Sequence, residues 1–399
     1  MAIALSNRVK AIPPSPTLTI SNRAKEMSAQ GIDVVNFGVG EPDFNTPEYI
    51  KDAAKEAIDS NFTRYTANAG IPELRKAIAE KFKKDNKIDY TFDQILVSPG
   101  AKASIVYTLM ALINPGEKVL VPAPYWVSYP SQVELAGGVC VFVQTEESNN
   151  FKIKASQIET AVAKEGAIKL IMLNSPNNPT GAVYSYAELK DIAEVCLKHN
   201  IFVLSDEIYE KLVYDGKTHV SIASISEEIK NQTVIINGVS KAYAMTGWRL
   251  GYAAGPLEVI KAAARIQEHA SSNVNSITQK ATLKALTYDD GSIEKMRQEF
   301  EKRKHFMVEA LNKIENVSCI VPEGAFYAVP NISYYIENNT KGFKTSTDIS
   351  IYLLENYHIA CVAGDSFGLN DIIRFSYANS MENLIKGAER FEKGLKSLL

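Results

Sequence analysis

Thr233-Val234-Ile235-Ile236-Asn237-Gly238-Val239-Ser240-Lys241-Ala242-Tyr243-Ala244-Met245-Thr246-Gly247-Trp248-Arg249-Leu250-Gly251-Tyr252 carries a short apolar run into a lysine and then an arginine. Thr233–Ile236 reads as a buried strand, and Lys241 stands just past its carboxyl end. A lysine in such a place is ordinarily a solvated surface residue. Its neighbours Ala242, Tyr243, Ala244, Met245 and Trp248 would make a poor surface, so Lys241 is expected to face a cavity. A partly desolvated lysine amine is the usual nucleophile of Schiff-base chemistry. The question for the rest of the chain is whether other strand ends supply partners for that amine.

Working outward, apolar runs of strand length alternate with helical stretches from about residue 92. The strands expected are Ile95–Ser98, Lys118–Pro122, Val139–Val143, Lys169–Leu173, Ile201–Ser205, Thr233–Ile236 and Leu250–Ala254. Between them helices are expected over Ala101–Ile113, Tyr125–Ala136, Ser156–Lys164 and Tyr186–His199. This βα alternation predicts an α/β fold with a mainly parallel, doubly wound, seven-stranded sheet. The last strand follows its neighbour too closely for a crossover helix and is expected to run antiparallel. Helices over Leu257–His269, Ser276–Tyr288 and Ser292–Ile314 follow. After about residue 315, short strands (Val317–Val321, Ala325–Pro330, Ile359–Ala363, Ile372–Tyr377) with helices Thr347–Tyr357 and Met381–Lys396 indicate a smaller α+β unit.

The domain division expected is therefore an amino-terminal arm and segment (1–45) packing with the small domain, a large domain (46–290) and a small carboxyl-terminal domain (291–399). In the arm, Ile12-Pro13-Pro14-Ser15-Pro16 disfavours helix and central strand, and a short helix is expected over Ser21–Gln30. Two helices open on proline, Pro47–Ser60 with Thr46 as its N-cap and Pro72–Asn86.

Composition narrows the class. With 399 residues, 46% hydrophobic and 22% charged residues and a net charge of −3, the chain shows no bias toward nucleic acid or anionic membranes. No apolar run reaches the ~20 residues of a membrane helix. The amino terminus lacks the pattern of a signal peptide. Cys140, Cys196, Cys319 and Cys361 are widely spaced, without a CxxC pair, and read as reduced residues of a cytoplasmic protein. No metal site is expected. Gly38-Val39-Gly40 lacks the third glycine of a dinucleotide fingerprint, and no Walker loop occurs.

Open parallel sheets bind ligands at the carboxyl ends of their strands. After Ile95–Ser98, the amides of Gly100, Ala101 and Lys102 open a helix and suit a phosphate. Before the Tyr125 helix stands Trp126, core residue or stacking platform. After Lys169–Leu173, Asn174-Ser175-Pro176-Asn177-Asn178-Pro179 is equally a rigid turn or a mount for the amide of Asn178. After Ile201–Leu204, Asp206 needs a cation or N–H partner if it is ionised, and Tyr209 follows. With Lys241 and Arg249, these make a phosphate cup, a flat aromatic, an amide, a carboxylate, a phenol, an amine and a guanidinium. Pyridoxal phosphate needs that whole inventory.

Gly40-Glu41-Pro42-Asp43-Phe44, Ser175-Pro176-Asn177-Asn178-Pro179-Thr180-Gly181, Ser205-Asp206-Glu207-Ile208-Tyr209 and Ser240-Lys241 to Gly251 resemble class I aminotransferases of fold type I. The resemblance is closest to their bacterial aspartate aminotransferase branch and runs almost end to end. It implies that Lys241 forms the internal aldimine with pyridoxal 5′-phosphate and then carries the proton. Asp206 would hold the pyridine nitrogen protonated, Asn178 and Tyr209 the ring oxygen, and Trp126 a ring face. Arg249, Ser240 and the Gly100–Lys102 amides would hold the phosphate, with Tyr65 reaching the phosphate of a neighbouring subunit in a homodimer. Arg374, Gly40 and Asn178 would take the substrate α-carboxylate, and Lys102 the second carboxylate.

Two positions depart from the family pattern. Gly238 replaces a phosphate-binding serine, leaving one ligand missing or supplied by Ser240. Pro13 stands before Pro14-Ser15, where relatives accepting prephenate tend to have lysine. The expected reaction is a ping-pong transfer of the amino group of L-aspartate to 2-oxoglutarate. Alternatives are an aminotransferase of the same class with another substrate (aromatic amino acid, kynurenine or alanine as donor, prephenate as acceptor) or a lyase on the same scaffold. A ligand-sensing regulator would need a DNA-binding domain, for which the first 45 residues are too few and too proline-rich.

Overall fold

The computed structural model describes residues 3–12 and 16–399. Strand β1 (Val35–Asn36) precedes a sheet built from β2 (Ile95–Ser98), β3 (Lys118–Ala123), β4 (Val139–Gln144), β5 (Leu170–Asn174), β6 (Phe202–Asp206), β7 (Thr233–Gly238) and β8 (Gly251–Ala254). Their spatial order is β2-β8-β7-β6-β5-β3-β4. Only β8 runs against its neighbours, as the short connection after β7 requires. The expected seven-stranded α/β sheet is what the chain forms.

Period-two burial explains why these runs are strands. In β5, Leu170 and Met172 join one apolar core while Ile171 and Leu173 join the core on the opposite face. Each such side chain contributes roughly 1.5–3 kcal/mol on burial. Helices Ala101–Leu112 and Leu257–Ala270 cover one face, Ala155–Glu165 and Tyr186–Lys198 the other. The parallel register aligns Asn174 with Asp206, so the carboxyl ends of β5 and β6 meet at one edge.

A separate core gathers around β9 (Ser318–Cys319), β10 (Tyr327–Ala328), β11 (Pro330–Asn331), β12 (Ile359–Ala360), β13 (Val362–Ala363) and β14 (Ile373–Ser376). The runs expected as single strands are broken here. Ala325–Pro330 yields β10 and β11, which pair with β14 and β9 respectively. Ile359–Ala363 splits at Cys361 because β12 pairs with β1 and β13 with β14.

Three local expectations are corrected. The helix after β3 begins at Tyr129, not Tyr125, since the Tyr125 N–H donates to the Phe367 carbonyl at 3.1 Å instead of entering a helical turn. Pro47 occupies the N-cap of Glu48–Asp59, and the Thr46 hydroxyl donates to the Ala244 carbonyl at 2.6 Å rather than capping. The helix expected from Ser21 begins at Pro16, a position that tolerates proline, and Asn7–Ala11 forms another. Pro13, Pro14 and Ser15, including the position compared with prephenate-accepting relatives, lie outside the described residues. Among the described residues no helix is long and apolar enough to cross a membrane, and all four cysteines are free.

Candidate active site

The carboxyl edge of the central sheet and the sheet containing β14 enclose a cavity of about 310 Å³. Its floor is built by β6. Asp206, 4% exposed, ends that strand and accepts from the Tyr129 hydroxyl at 2.7 Å and from the Ile208 N–H at 3.2 Å. Burial raises its pKa from 3.8 to about 6 against those two hydrogen bonds. A carboxyl held there without a contacting cation leaves its charge to be met from the cavity.

Lys241 follows β7, with Ala242, Tyr243 and Met245 buried beside it as their composition suggested. Its Nζ donates to the Gly40 carbonyl at 2.5 Å and lies 5.9 Å from the centre of the Tyr209 ring. Burial lowers the amine to about 8; Glu41 and Asp206 oppose the shift, whereas Arg374 and Arg249 add to it. A lysine tuned this way offers a substantial fraction of free amine near neutral pH.

At the opposite wall, Asn178 presents its Oδ1 to Arg374 Nη1 at 3.1 Å, while its own N–H donates to Asn174 Oδ1 at 2.8 Å. Arg374 is buried in β14, and its Nη2 donates to the Gly38 carbonyl at 2.8 Å. Its Nε is buried without a partner. Among the described residues Arg374, Lys102, Arg249 and Lys241 form no ion pair with a carboxylate. Four cations converge on one cavity, so the site is built for an anionic ligand.

The phosphate-sized corner is made by the start of Ala101–Leu112. Gly100 has φ +87°, and its Cα lies so near Arg249 that a Cβ would stand 2.6 Å from Nη2. Glycine is required there on both counts. Ala101 and Lys102 open the helix, whose unpaired amides favour an anion. Ser240 lines the same cavity. Gly238 pairs with Gly251, and a Cβ on it would meet the Gly251 Cα at 2.9 Å and the Leu250 carbonyl at 3.0 Å, so this backbone admits no serine there without moving. Burial, then Arg249, lowers the Lys102 amine, which sits 4.9 Å over the Trp126 ring.

A model of the family described as aminotransferase class I and II matches residues 32–391. The chain belongs to that family. This aminotransferase is 45% identical to the aspartate aminotransferase of Bacillus sp. (strain YM-2), over 98% of this chain and 99% of that one. It is 44% identical to a probable aspartate/prephenate aminotransferase of Aquifex aeolicus, over the full length of both. Its fold is similar to the crystal structure of the aspartate aminotransferase from Rhizobium meliloti, with TM-score 0.95, 41% identity and full coverage of both chains.

Of the residues singled out in the sequence, the aminotransferase cavity gathers Gly40, Ala101, Lys102, Trp126, Asn178, Asp206, Tyr209, Ser240, Lys241, Arg249 and Arg374, with Gly100 against Arg249. Tyr65 is not among them. It is 91% exposed, on the loop before Gly70. Sequence reasoning missed Tyr327, Ile208, Thr246 and Asn174 in the lining, and Tyr129 beneath Asp206. Asn174 ends a strand and was open to the strand-end rule; Tyr129 stands three residues after Trp126, at the start of the helix. Nothing in the pattern around Tyr327 marks it. Outside the cavity, Glu207, Glu210 and His219 come within metal-ligating distance of one another. Their oxygens already accept from Ser205, Ser221, His219, Lys81 and Asn86.

Proposed function

We propose that this chain is an aspartate:2-oxoglutarate aminotransferase that uses pyridoxal 5′-phosphate. The observation that carries the reading is the buried, carboxylate-free Arg374 facing a half-buried lysine and an Asp206 without a contacting cation across one cavity. The donor set fits the cofactor group by group. Bound there, pyridoxal 5′-phosphate supplies an aldehyde that condenses with amines and a pyridinium ring that accepts electrons from the substrate Cα.

Lys241 Nζ would hold the cofactor at its aldehyde end and would move the proton at the substrate Cα. Asp206 keeps the ring nitrogen protonated; Tyr209 and Asn178 hold the ring oxygen; Trp126 covers one ring face. The amides of Ala101 and Lys102, with Ser240 and Arg249, hold the phosphate; the Gly100 N–H, expected to join them, is instead given to the Ser98 carbonyl at 2.7 Å, so Gly100 serves by the space it leaves for Arg249. Arg374, with Gly40 and Asn178, takes the α-carboxylate as a planar fork. Lys102 takes the second carboxylate of aspartate or glutamate.

The exposure of Tyr65 supports a homodimer in which Tyr65 of the partner subunit completes the phosphate site. The reading divides the chain into an amino-terminal segment (1–45), a cofactor-binding domain (46–290) and a small domain (291–399), supported by the pairing of β1 with β12 and the separate core around β14. The protein is proposed to act in the cytoplasm.

The test is a half-reaction panel on the cofactor-loaded protein, following absorbance on mixing with each amino acid. Aspartate and glutamate should convert the cofactor fastest. An aromatic amino acid, kynurenine or alanine reacting tenfold faster would replace the donor assignment. The Aquifex relative's name makes prephenate the second acceptor to include, against 2-oxoglutarate. Lys241→Ala should abolish turnover, and comparable transamination by that variant would remove the central assignment.

A further inference from the structure

Tyr327 reaches the cavity from the same sheet as Arg374, since β10 and β14 pair antiparallel with Tyr327 opposite Ser376. It is 1% exposed. Its hydroxyl oxygen lies 2.7 Å from that of Tyr209, and its ring lies 4.5 Å from Arg374 Cζ. The hydroxyl also faces Gly40, where a Cβ would stand 2.9 Å from it. The Gly40 carbonyl in turn accepts from Lys241 Nζ. One side chain therefore touches the guanidinium, the phenol and the backbone that hold the reacting groups.

Two hydroxyls at 2.7 Å share one hydrogen bond, and either one can be the donor. If Tyr209 spends its proton on Tyr327, it can offer only lone pairs to a ligand. If Tyr327 donates, the Tyr209 proton is free to point into the cavity, and the donated bond polarises Tyr209 into a stronger donor. Burial raises both phenols, Tyr209 further than Tyr327, and Arg374 opposes the rise at each; with its ring 4.5 Å from the Arg374 Cζ, Tyr327 is left the more acidic partner and the favoured donor.

We propose that Tyr327 is a positioning residue with two separable parts. Its ring sets the plane of Arg374 for the substrate carboxylate. Its hydroxyl donates to Tyr209 and turns the Tyr209 proton toward the cofactor's ring oxygen, lowering the pH at which the cofactor-loaded Lys241 nitrogen gives up its proton. This rests on the transaminase reading above and adds to it a residue that reading does not use.

The charges around this pair come from several elements. Asp206 lies at the end of β6, Lys241 and Arg249 in the turn after β7, Arg374 on β14 and Glu41 in the loop after β1. Tyr327→Phe leaves every one of them in place and keeps the ring. Tyr327→Leu removes hydroxyl and ring together.

Both variants are compared with the wild type, all loaded with pyridoxal 5′-phosphate. One readout is absorbance against pH; the other is spectral titration with succinate, a dicarboxylate with no amine to transfer. Tyr327→Phe should raise the absorbance midpoint by about half a pH unit, a threefold change in proton affinity. Its succinate affinity should stay within about twofold, because the stacking ring is retained. Tyr327→Leu should raise the midpoint likewise and weaken succinate by about fivefold. A midpoint unmoved in Tyr327→Phe overturns the hydroxyl's part. Wild-type succinate affinity in Tyr327→Leu overturns the ring's part. A wild-type protein that takes up no cofactor overturns the transaminase reading itself, and is told apart by its flat spectrum.

Discussion

Asp206 gives the sharpest quantitative test, because its proposed service to the cofactor has a stability cost measurable without the cofactor. Burial raises its pKa from 3.8 to about 6. A shift of about two units corresponds to roughly 3 kcal/mol of penalty on the ionised form at pH 7.5. The sign follows from proton binding. The folded pKa is the higher one, so the folded state binds more protons, and stability is highest below the unfolded pKa and falls as pH rises toward 6. Asp206→Asn removes the charge and keeps the shape. The amide has a single acceptor oxygen, however, so it can no longer serve both the Tyr129 hydroxyl and the Ile208 N–H. That loss costs about 1 kcal/mol.

The cofactor-free variant should therefore be more stable than the cofactor-free wild type by about 2 kcal/mol at pH 7.5. For a chain of 399 residues and an unfolding entropy of roughly 2.1 cal/mol/K per residue, this is about 2 °C in Tm. The gap should close near pH 4.5, where the remaining penalty falls to roughly 1 kcal/mol and cancels the lost hydrogen bond. Thermal denaturation of both proteins across this pH range is the assay. A variant less stable at pH 7.5, or a gap that does not narrow on acidification, would refute an uncompensated charge beneath the cavity. Loaded with cofactor, the order should reverse, because only the carboxylate meets a protonated ring nitrogen.

Other expectations follow from single contacts. Replacing Lys102 by Met should lower kcat/KM for aspartate and glutamate by about 10- to 100-fold, the range of one charge-assisted contact, and that for alanine or an aromatic amino acid far less. Because the Lys241 amine is depressed to about 8, the rate of cofactor capture should rise roughly tenfold per pH unit below that value and level off above it, measured by stopped-flow absorbance. Lys81→Met should destabilise the protein by about 3–5 kcal/mol at pH 7, measured by urea denaturation, since it strands Glu210 in a buried site. Glu210 is itself held at about 2, where Lys81, His219 and Lys211 outweigh the effect of burial, so the pair's contribution is present above pH 4.5 and is lost only as pH falls toward 2.

The central sheet was legible because its strands obey a rule that composition can express. A strand buried on both faces must be apolar throughout, and the polar residues at its end must face something else. Asp206, Asn178, Gly100 and Lys241 follow from that rule before any family is named. The smaller unit was less legible, since two-residue strands such as β12 and β13 are set by partners in β1 and β14 that no local pattern announces. The helix start at Tyr129 was missed for a related reason: the Tyr125 N–H is claimed by Phe367, a contact across more than two hundred residues.

The same asymmetry holds within the cavity. Arg374 was reached through resemblance alone, because an arginine in a strand is ordinarily a surface residue, and Tyr327 was not reached at all. Tyr209 and Tyr327 stand 118 residues apart, yet their hydroxyls touch, a pairing that no local pattern announces. Strand-end logic reads one sheet at a time, so it finds the groups the central sheet presents, Lys102 and Asn178 among them, and overlooks Arg374 and Tyr327 on the second sheet. The charges bear this out. Asp206 lies on the central sheet and calls for a cation, whereas Arg374 lies on the second sheet and calls for an anion. A ligand that meets both must span the space between the two sheets, as a pyridinium ring joined to an amino acid carboxylate would.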